Sequence, residues 1–241
     1  WFAKYLTVKR VATQASFHPV YVEFLNKMNS KRLTDLVVEC AVSQIRQLIY
    51  SLSLRVDSAK RNLLKTLGSW LGKITLARNK PVLQNKLDLK GLLYDAYQRG
   101  RLHVVLPFVA KVLASAKTSV VFRPPNPWTM ALMNSLREIY DIQGLKMFLK
   151  FELEVLCKAL EVEINTLSSP NILITLEGPT EENADLLRSK SSKPKPMKSP
   201  PLPVPKVVSP TPQTSSSTDG SGAGINNAPM PTLSLESMSQ N

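Results

Sequence analysis

The chain has 241 residues, 43% of them hydrophobic, which permits one sizeable core and something beyond it. Lys and Arg outnumber Asp and Glu by 31 to 18, and two cysteines with two histidines are too few for a four-ligand zinc site. No uninterrupted apolar run approaches the length of a membrane span, so no membrane partner is expected.

Apolar spacing is helical almost throughout. Residues 1–13 read as the end of a helix, with Phe2, Tyr5, Leu6 and Val8 available for burial. Residues 17–28 carry Val20, Tyr21, Phe24, Leu25 and Met28, and residues 32–54 carry an apolar face from Leu33 to Leu52. The clearest helix covers 59–77, where Leu63, Leu64, Leu67, Trp70, Leu71 and Ile74 recur at gaps of three and four, so Leu67, Trp70 and Leu71 are expected in the core. Gly68 and Gly72, one turn apart on it, predict close helix packing. Residues 88–98 form the next helix, with Gly100 as its stop, and 101–117 another, which Pro107 should kink or split.

Arg123-Pro124-Pro125-Asn126-Pro127-Trp128 is a legible helix start. Asn126 suits the N-cap and Pro127 the first helical position, while Pro124 and Pro125 should keep the preceding loop extended and stiff. That helix runs to about Tyr140, with Trp128 assigned to the core. Gly144 separates it from a last helix, about 145–161, with Leu156 on its buried face. About eight helices joined by short turns imply an all-α solenoid of antiparallel pairs of the HEAT type.

Eleven of the 18 prolines lie from Pro179 onward, in a Lys/Pro/Ser-rich text too poor in apolar residues to offset its ordering entropy. The expected division is a helical-repeat domain at 1–178 and a disordered linker at 179–241. Because the chain opens mid-pattern at Trp1, it reads as a piece of a longer protein. Cys40 and Cys157 sit in apolar periodic stretches and read as buried free thiols of a reducing compartment.

Chemistry is sparse. His18 and His103 have no Ser, Cys or carboxylate at a motif spacing, and no phosphate loop, dinucleotide motif or nucleophile elbow is present. Neither catalytic residues nor metal or other cofactors are expected, and the chain is read as no enzyme. The charge is uneven: residues 1–123 hold 21 Lys/Arg against 6 Asp/Glu. Lys65, Ser69 and Lys73, four apart and facing away from the leucines, form a basic stripe suited to an acidic partner. Direct RNA binding through this basic surface is the alternative reading.

Four stretches carry a family resemblance: Val121 to Met130, Leu63 to Gly72, Val105 to Leu113, and Leu149 to Lys158. Over about 1–165 the chain resembles the central domain of the Not scaffold, the largest subunit of the Ccr–Not deadenylase complex. The resemblance implies a fold like the middle domain of initiation factor four-gamma, with about five HEAT-like pairs. It implies a non-catalytic scaffold whose partners are a Caf-type DEDD deadenylase and a Dhh-type DEAD-box helicase, with other Ccr–Not subunits held by the rest of the parent chain and RNA touched weakly or indirectly. Coupled poly(A) shortening, translational repression and mRNA decay follow, in the cytoplasm including P-bodies and in the nucleus. The resemblance does not itself place the contacts; the stiff proline loop with its neighbours, Phe122, Arg123, Pro124, Pro125, Asn126 and Pro107, is assigned to deadenylase binding, and the basic stripe Lys65, Ser69 and Lys73 to helicase binding. The segment 29–60 departs from the family text.

Overall fold

The computed structural model describes residues 1–176 and 183–187. Eight α-helices lie among them: α1 (Phe2–Tyr5, continuing as a π-helical stretch Leu6–Val11), α2 (His18–Met28), α3 (Lys31–Ile49), α4 (Ser58–Ile74), α5 (Leu89–Gln98), α6 (Leu102–Leu113), α7 (Pro127–Tyr140) and α8 (Met147–Leu160). Side-chain caps set several starts. The Ser30 hydroxyl accepts from Leu33 N at 3.3 Å, the Asp57 carboxylate from Ala59 N at 2.9 Å, and the Asp88 carboxylate from Gly91 N at 3.0 Å. Stops use left-handed backbone at Asn29, Asn79, Gly100, Gly144 and Glu161.

The helices pair as α3/α4, α5/α6 and α7/α8 and stack in two layers; α2 meets the first helical stretch more lightly, through the Phe2 and Phe24 rings at 5.8 Å and the His18–Val11 hydrogen bond. One layer runs α2, α4, α6, α8, with α4 against α6 the most extensive packing; α1 meets α3 and α5 meets α7 in the other. With α1 and α2 counted as a pair, four are present among the described residues, where the resemblance implies about five. Leu64, Leu67, Trp70, Leu71 and Ile74 are all buried, as the spacing on α4 requires, and so is Leu156 on α8. Cys157 is buried, Cys40 only half-buried, and both are free thiols.

Several local expectations are corrected. Ten of the twelve residues of α6 are buried, and of the kink or split expected at Pro107 the split does not occur: α6 is one helix from Leu102 to Leu113. That burial outweighs the lost hydrogen bond and ring clash, about 3 kcal/mol. Helix α3 stops at Ile49, and Leu52 stands 96% exposed in a following 3₁₀ turn. On α2 the packed line is His18, Tyr21, Val22 and Leu25, whereas Val20, Phe24 and Met28 face outward. Helix α2 is apolar on more than one side, so periodicity alone did not single out the packed one. The loop before α7 is a series of bends and a turn, not an extended strand, and its Pro124–Pro125 peptide is cis.

Residues 183–187, placed by the sequence reading in the linker, pack against the helices. Asp185 is fully buried and accepts from Leu102 N at 2.7 Å and His103 N at 2.9 Å, capping α6 from 82 residues away. His103 Nδ1 meets the same carboxylate at 2.5 Å. Leu187 N donates to Gly144 O at 2.7 Å, tying the α5–α6 turn to the α7–α8 turn. A chain truncated after residue 182 is expected to lose about 1–2 kcal/mol of stability, as loss of a helix cap does. Urea midpoints of the two chains check this. The rest of the linker expected over 179–241, residues 179–182 and 188–241, lies outside the described residues.

His18 is buried, and its Nε2 lies 3.0 Å from Val11 O; a carbonyl only accepts, so Nε2 carries the proton. Burial pushes its pKa below the ordinary 6.5, the Val11 bond opposes that, and nearby Lys73 adds to the depression. The unfolded chain therefore takes up the proton first as pH falls, so stability is full above about 6.5 and declines below it. Thermal melts between about pH 7.5 and 5 should fall less steeply in His18→Gln than in the parent chain.

Candidate functional site

The loop between α6 and α7 is held by its own polar side chains and by one distant residue. Asn79, in left-handed backbone, points its side-chain carbonyl at the loop, where it accepts from Ser119 Oγ at 2.8 Å, Val120 N at 2.9 Å and Val121 N at 3.1 Å. Ser119 Oγ accepts from Phe122 N at 2.8 Å, and Thr129 Oγ1 donates to Phe122 O at 2.7 Å. Asn126 uses both ends of its amide: the oxygen accepts from Trp128 N at 2.9 Å and the nitrogen donates to Val121 O at 2.9 Å. Such a network leaves little conformational freedom to lose on binding.

The expected contact residues divide on this geometry. Phe122 is buried, with its ring edge-on to half-buried Trp128 at 5.5 Å, and Pro107 lies inside α6; neither presents a side chain outward. Asn126 is occupied by capping and Pro124 is half-buried. Arg123 and Pro125 are exposed, and Arg123 Nη2 pairs with Glu161 at 2.8 Å. Beside Pro125 the outward apolar groups are two that the sequence reading did not assign, Val120 and Val121. The left-handed Asn before Lys80-Pro81 was the available signal for Asn79, as a helix stop; its reach to the loop had none.

Lys65, Ser69 and Lys73 do not stand clear of the packing. All three are half-buried on the α2–α4–α6–α8 layer. Lys65 Nζ lies 4.0 Å from Glu152 of α8, and burial lowers the Lys73 pKa. At the α2 end of this layer Phe17, Val20, Phe24 and Met28 form an exposed apolar stripe at helical spacing. Glu152 and Glu154 diverge, the latter accepting from Tyr140 Oη at 2.8 Å. Among the described residues no three His, Cys, Asp or Glu side chains cluster as metal ligands, and no helix is long and apolar enough to cross a membrane.

A buried loop skeleton with an exposed rim, and no assembled acid–base or nucleophile set among the described residues, is the anatomy of a binding domain. The profile of the CCR4-NOT transcription complex subunit 1 CAF1-binding domain matches residues 1–183. The chain belongs to this family. The CAF1-binding domain is a non-catalytic scaffold domain of that subunit, in keeping with the sparse motifs of the sequence. Similar proteins include the CCR4-NOT transcription complex subunit let-711 of Caenorhabditis elegans, 39% identical over 72% of this chain. The general negative regulator of transcription subunit 1 is 38% identical over 69% of the chain in Schizosaccharomyces pombe, and 37% over 73% in Saccharomyces cerevisiae. The chain spans only 7–8% of the length of these relatives.

Proposed function

We propose that this CAF1-binding domain docks a Caf-type DEDD deadenylase on the edge formed by the α6–α7 loop, and a Dhh-type DEAD-box helicase on the α2–α4 face. The family match carries the deadenylase reading. The exposed apolar stripe of α2 supports the helicase reading, with Lys73 of α4 close to His18 of the same helix, since an apolar face near a cation suits a partner with a matching apolar and acidic surface. Holding both enzymes on one chain raises their effective concentration at the same messenger RNA, coupling poly(A) shortening to translational repression and decay. Other Ccr–Not subunits would bind the rest of the parent chain. The reading carries with it a cytoplasmic location, P-bodies included, and a nuclear one, which imaging of the tagged parent protein tests.

The test is a pull-down of the full chain with each enzyme, RNase present. Val121→Asp puts a charge on the loop rim without touching the buried skeleton, and should weaken deadenylase binding at least about tenfold, as removal of a central anchor does. Asn79→Ala should weaken it too by freeing the loop, while Asn79→Asp, which keeps the acceptor, should retain most of it. Phe24→Asp with Lys73→Glu should weaken the helicase alone. Full deadenylase binding by Val121→Asp would move that site off the loop.

A further inference from the structure

A cleft where the starts of α4, α6 and α8 meet is left unused by the docking reading. Its cationic wall is Arg55, Arg61 and Lys65, with His103 beside them. Two of the guanidinium groups are already positioned. Arg55 Nη2 donates to Arg99 O at 3.3 Å and to Gly100 O at 3.2 Å, and Arg61 Nη1 donates to Arg55 O at 2.7 Å. Arg61 and Lys65 are one helical turn apart and so share a face of α4. No carboxylate among the described residues lines the cleft. Asp57 is used in capping α4 and Asp185 is buried against His103, while Glu152, outside the lining, stands 4.0 Å from Lys65, a half-exposed contact that a phosphate would have to displace.

One wall is not cationic. Phe148, near the start of α8, lines the cleft and is 48% exposed. An exposed ring beside a row of fixed cations is an arrangement for single-stranded nucleic acid, in which phosphates meet the cations and a base lies on the ring. An acidic peptide would use the cations and leave the ring idle. Ser58 and Asn62, one turn apart on the same stretch of α4, add a hydroxyl and an amide suited to sugar and base edges.

We propose that this cleft binds a short single-stranded RNA segment, with Arg61 and Lys65 on successive phosphates and Phe148 under a base. The site is separate from the deadenylase loop and from the Phe24 and Lys73 face, so its failure leaves both docking proposals standing. It would let the domain hold the transcript whose tail a bound deadenylase shortens.

The experiment is fluorescence anisotropy of a labelled 12-nucleotide single-stranded RNA with the full chain, across a salt series. Arg61→Gln with Lys65→Gln should weaken binding about tenfold or more and reduce the salt slope by about 1.4, roughly 0.7 for each phosphate set free on a single strand. Phe148→Ala should weaken binding about fivefold with the salt slope unchanged, because a stacking platform carries no charge. Lys4→Gln with Arg32→Gln, which removes the same charge elsewhere, should weaken binding less than about twofold. Thermal melts establish that each variant is folded. An equal loss in the Lys4 and Arg32 variant, or unchanged binding in both cleft variants, would overturn the proposal. So would full binding by Phe148→Ala together with displacement of the RNA by poly-glutamate at equal charge, which would make the cleft a site for acidic peptide.

Discussion

Trp70→Ala is expected to destabilise the domain by about 3–5 kcal/mol, the range for removing a buried large aromatic side chain. A domain of this kind has only about 5–15 kcal/mol in total, so the variant should sit near its folding threshold. Trp70 is fully buried in α4, with the His18 ring 5.3 Å and the Tyr21 ring 6.5 Å from its own. Through these two rings it is one of the side chains on which α2 packs. Its indole nitrogen is buried without a hydrogen-bond partner among the described residues. Trp70→Phe removes that unsatisfied donor along with part of the ring, so the two effects oppose each other and the net cost should be well below that of alanine. Urea unfolding of the three chains measures this, read from midpoints at unchanged slope. Equal losses for Phe and Ala would show that the indole N–H has a partner in solution. The alanine variant should also flatten the acid side of the stability curve, because water admitted beside His18 removes the desolvation that depresses its pKa.

Where structure follows from near neighbours in the chain, the sequence was readable. The leucine and tryptophan line of α4 is buried from Leu64 to Ile74, with Leu63 half-buried at its start, and Asn126 caps α7 with the bonds its type allows. Where structure depends on a distant partner, it was not. Asn79 grips a loop some 40 residues away, and Asp185 caps a helix 82 residues before it. Each is a lone polar residue with no periodicity to betray it. The docking rim was hard to read for a related reason. Phe122 and Asn126 are part of the most distinctive text in the chain, yet what they do is hold the loop's shape; of the exposed rim, Pro125 was legible and the plainer Val120 and Val121 were not. On α2 the difficulty was different. With apolar residues on more than one side, the helix offered two candidate faces, and the one left outside is the stripe proposed for the helicase.

Gly72→Val should be among the most damaging changes open to this fold. A Cβ at Gly72 would stand 2.5 Å from Val112 O and 2.5 Å from Ser115 Oγ, and one at Gly68 would stand 2.9 Å from Phe108 O. Because carbonyl oxygens of the α6 backbone are among these atoms, rotating a side chain does not relieve the clash; α4 and α6 have to move apart. Alanine at Gly72 recovers about 1 kcal/mol of helix propensity, which offsets part of the loss. Overpacking of this kind costs about 1–3 kcal/mol, so Gly72→Ala should still be destabilising, and the larger, β-branched valine more so. Ser115→Ala in the same chain should rescue little, since the backbone clash with Val112 remains. The effect should also reach the docking edge. Displacing the end of α6 shifts the turn Ala114–Thr118 and with it Ser119, the residue bonded to Asn79 and Phe122. Gly72→Val is therefore expected to lose deadenylase binding at temperatures where circular dichroism shows its helices still formed. Gly91→Ala, at an exposed glycine of α5 whose added Cβ would meet only the Asp88 side chain, should cost no more than the cap that Asp88 provides, about 1 kcal/mol, and should keep deadenylase binding. Retention of full binding by folded Gly72→Val would mean that the loop is positioned without help from α6.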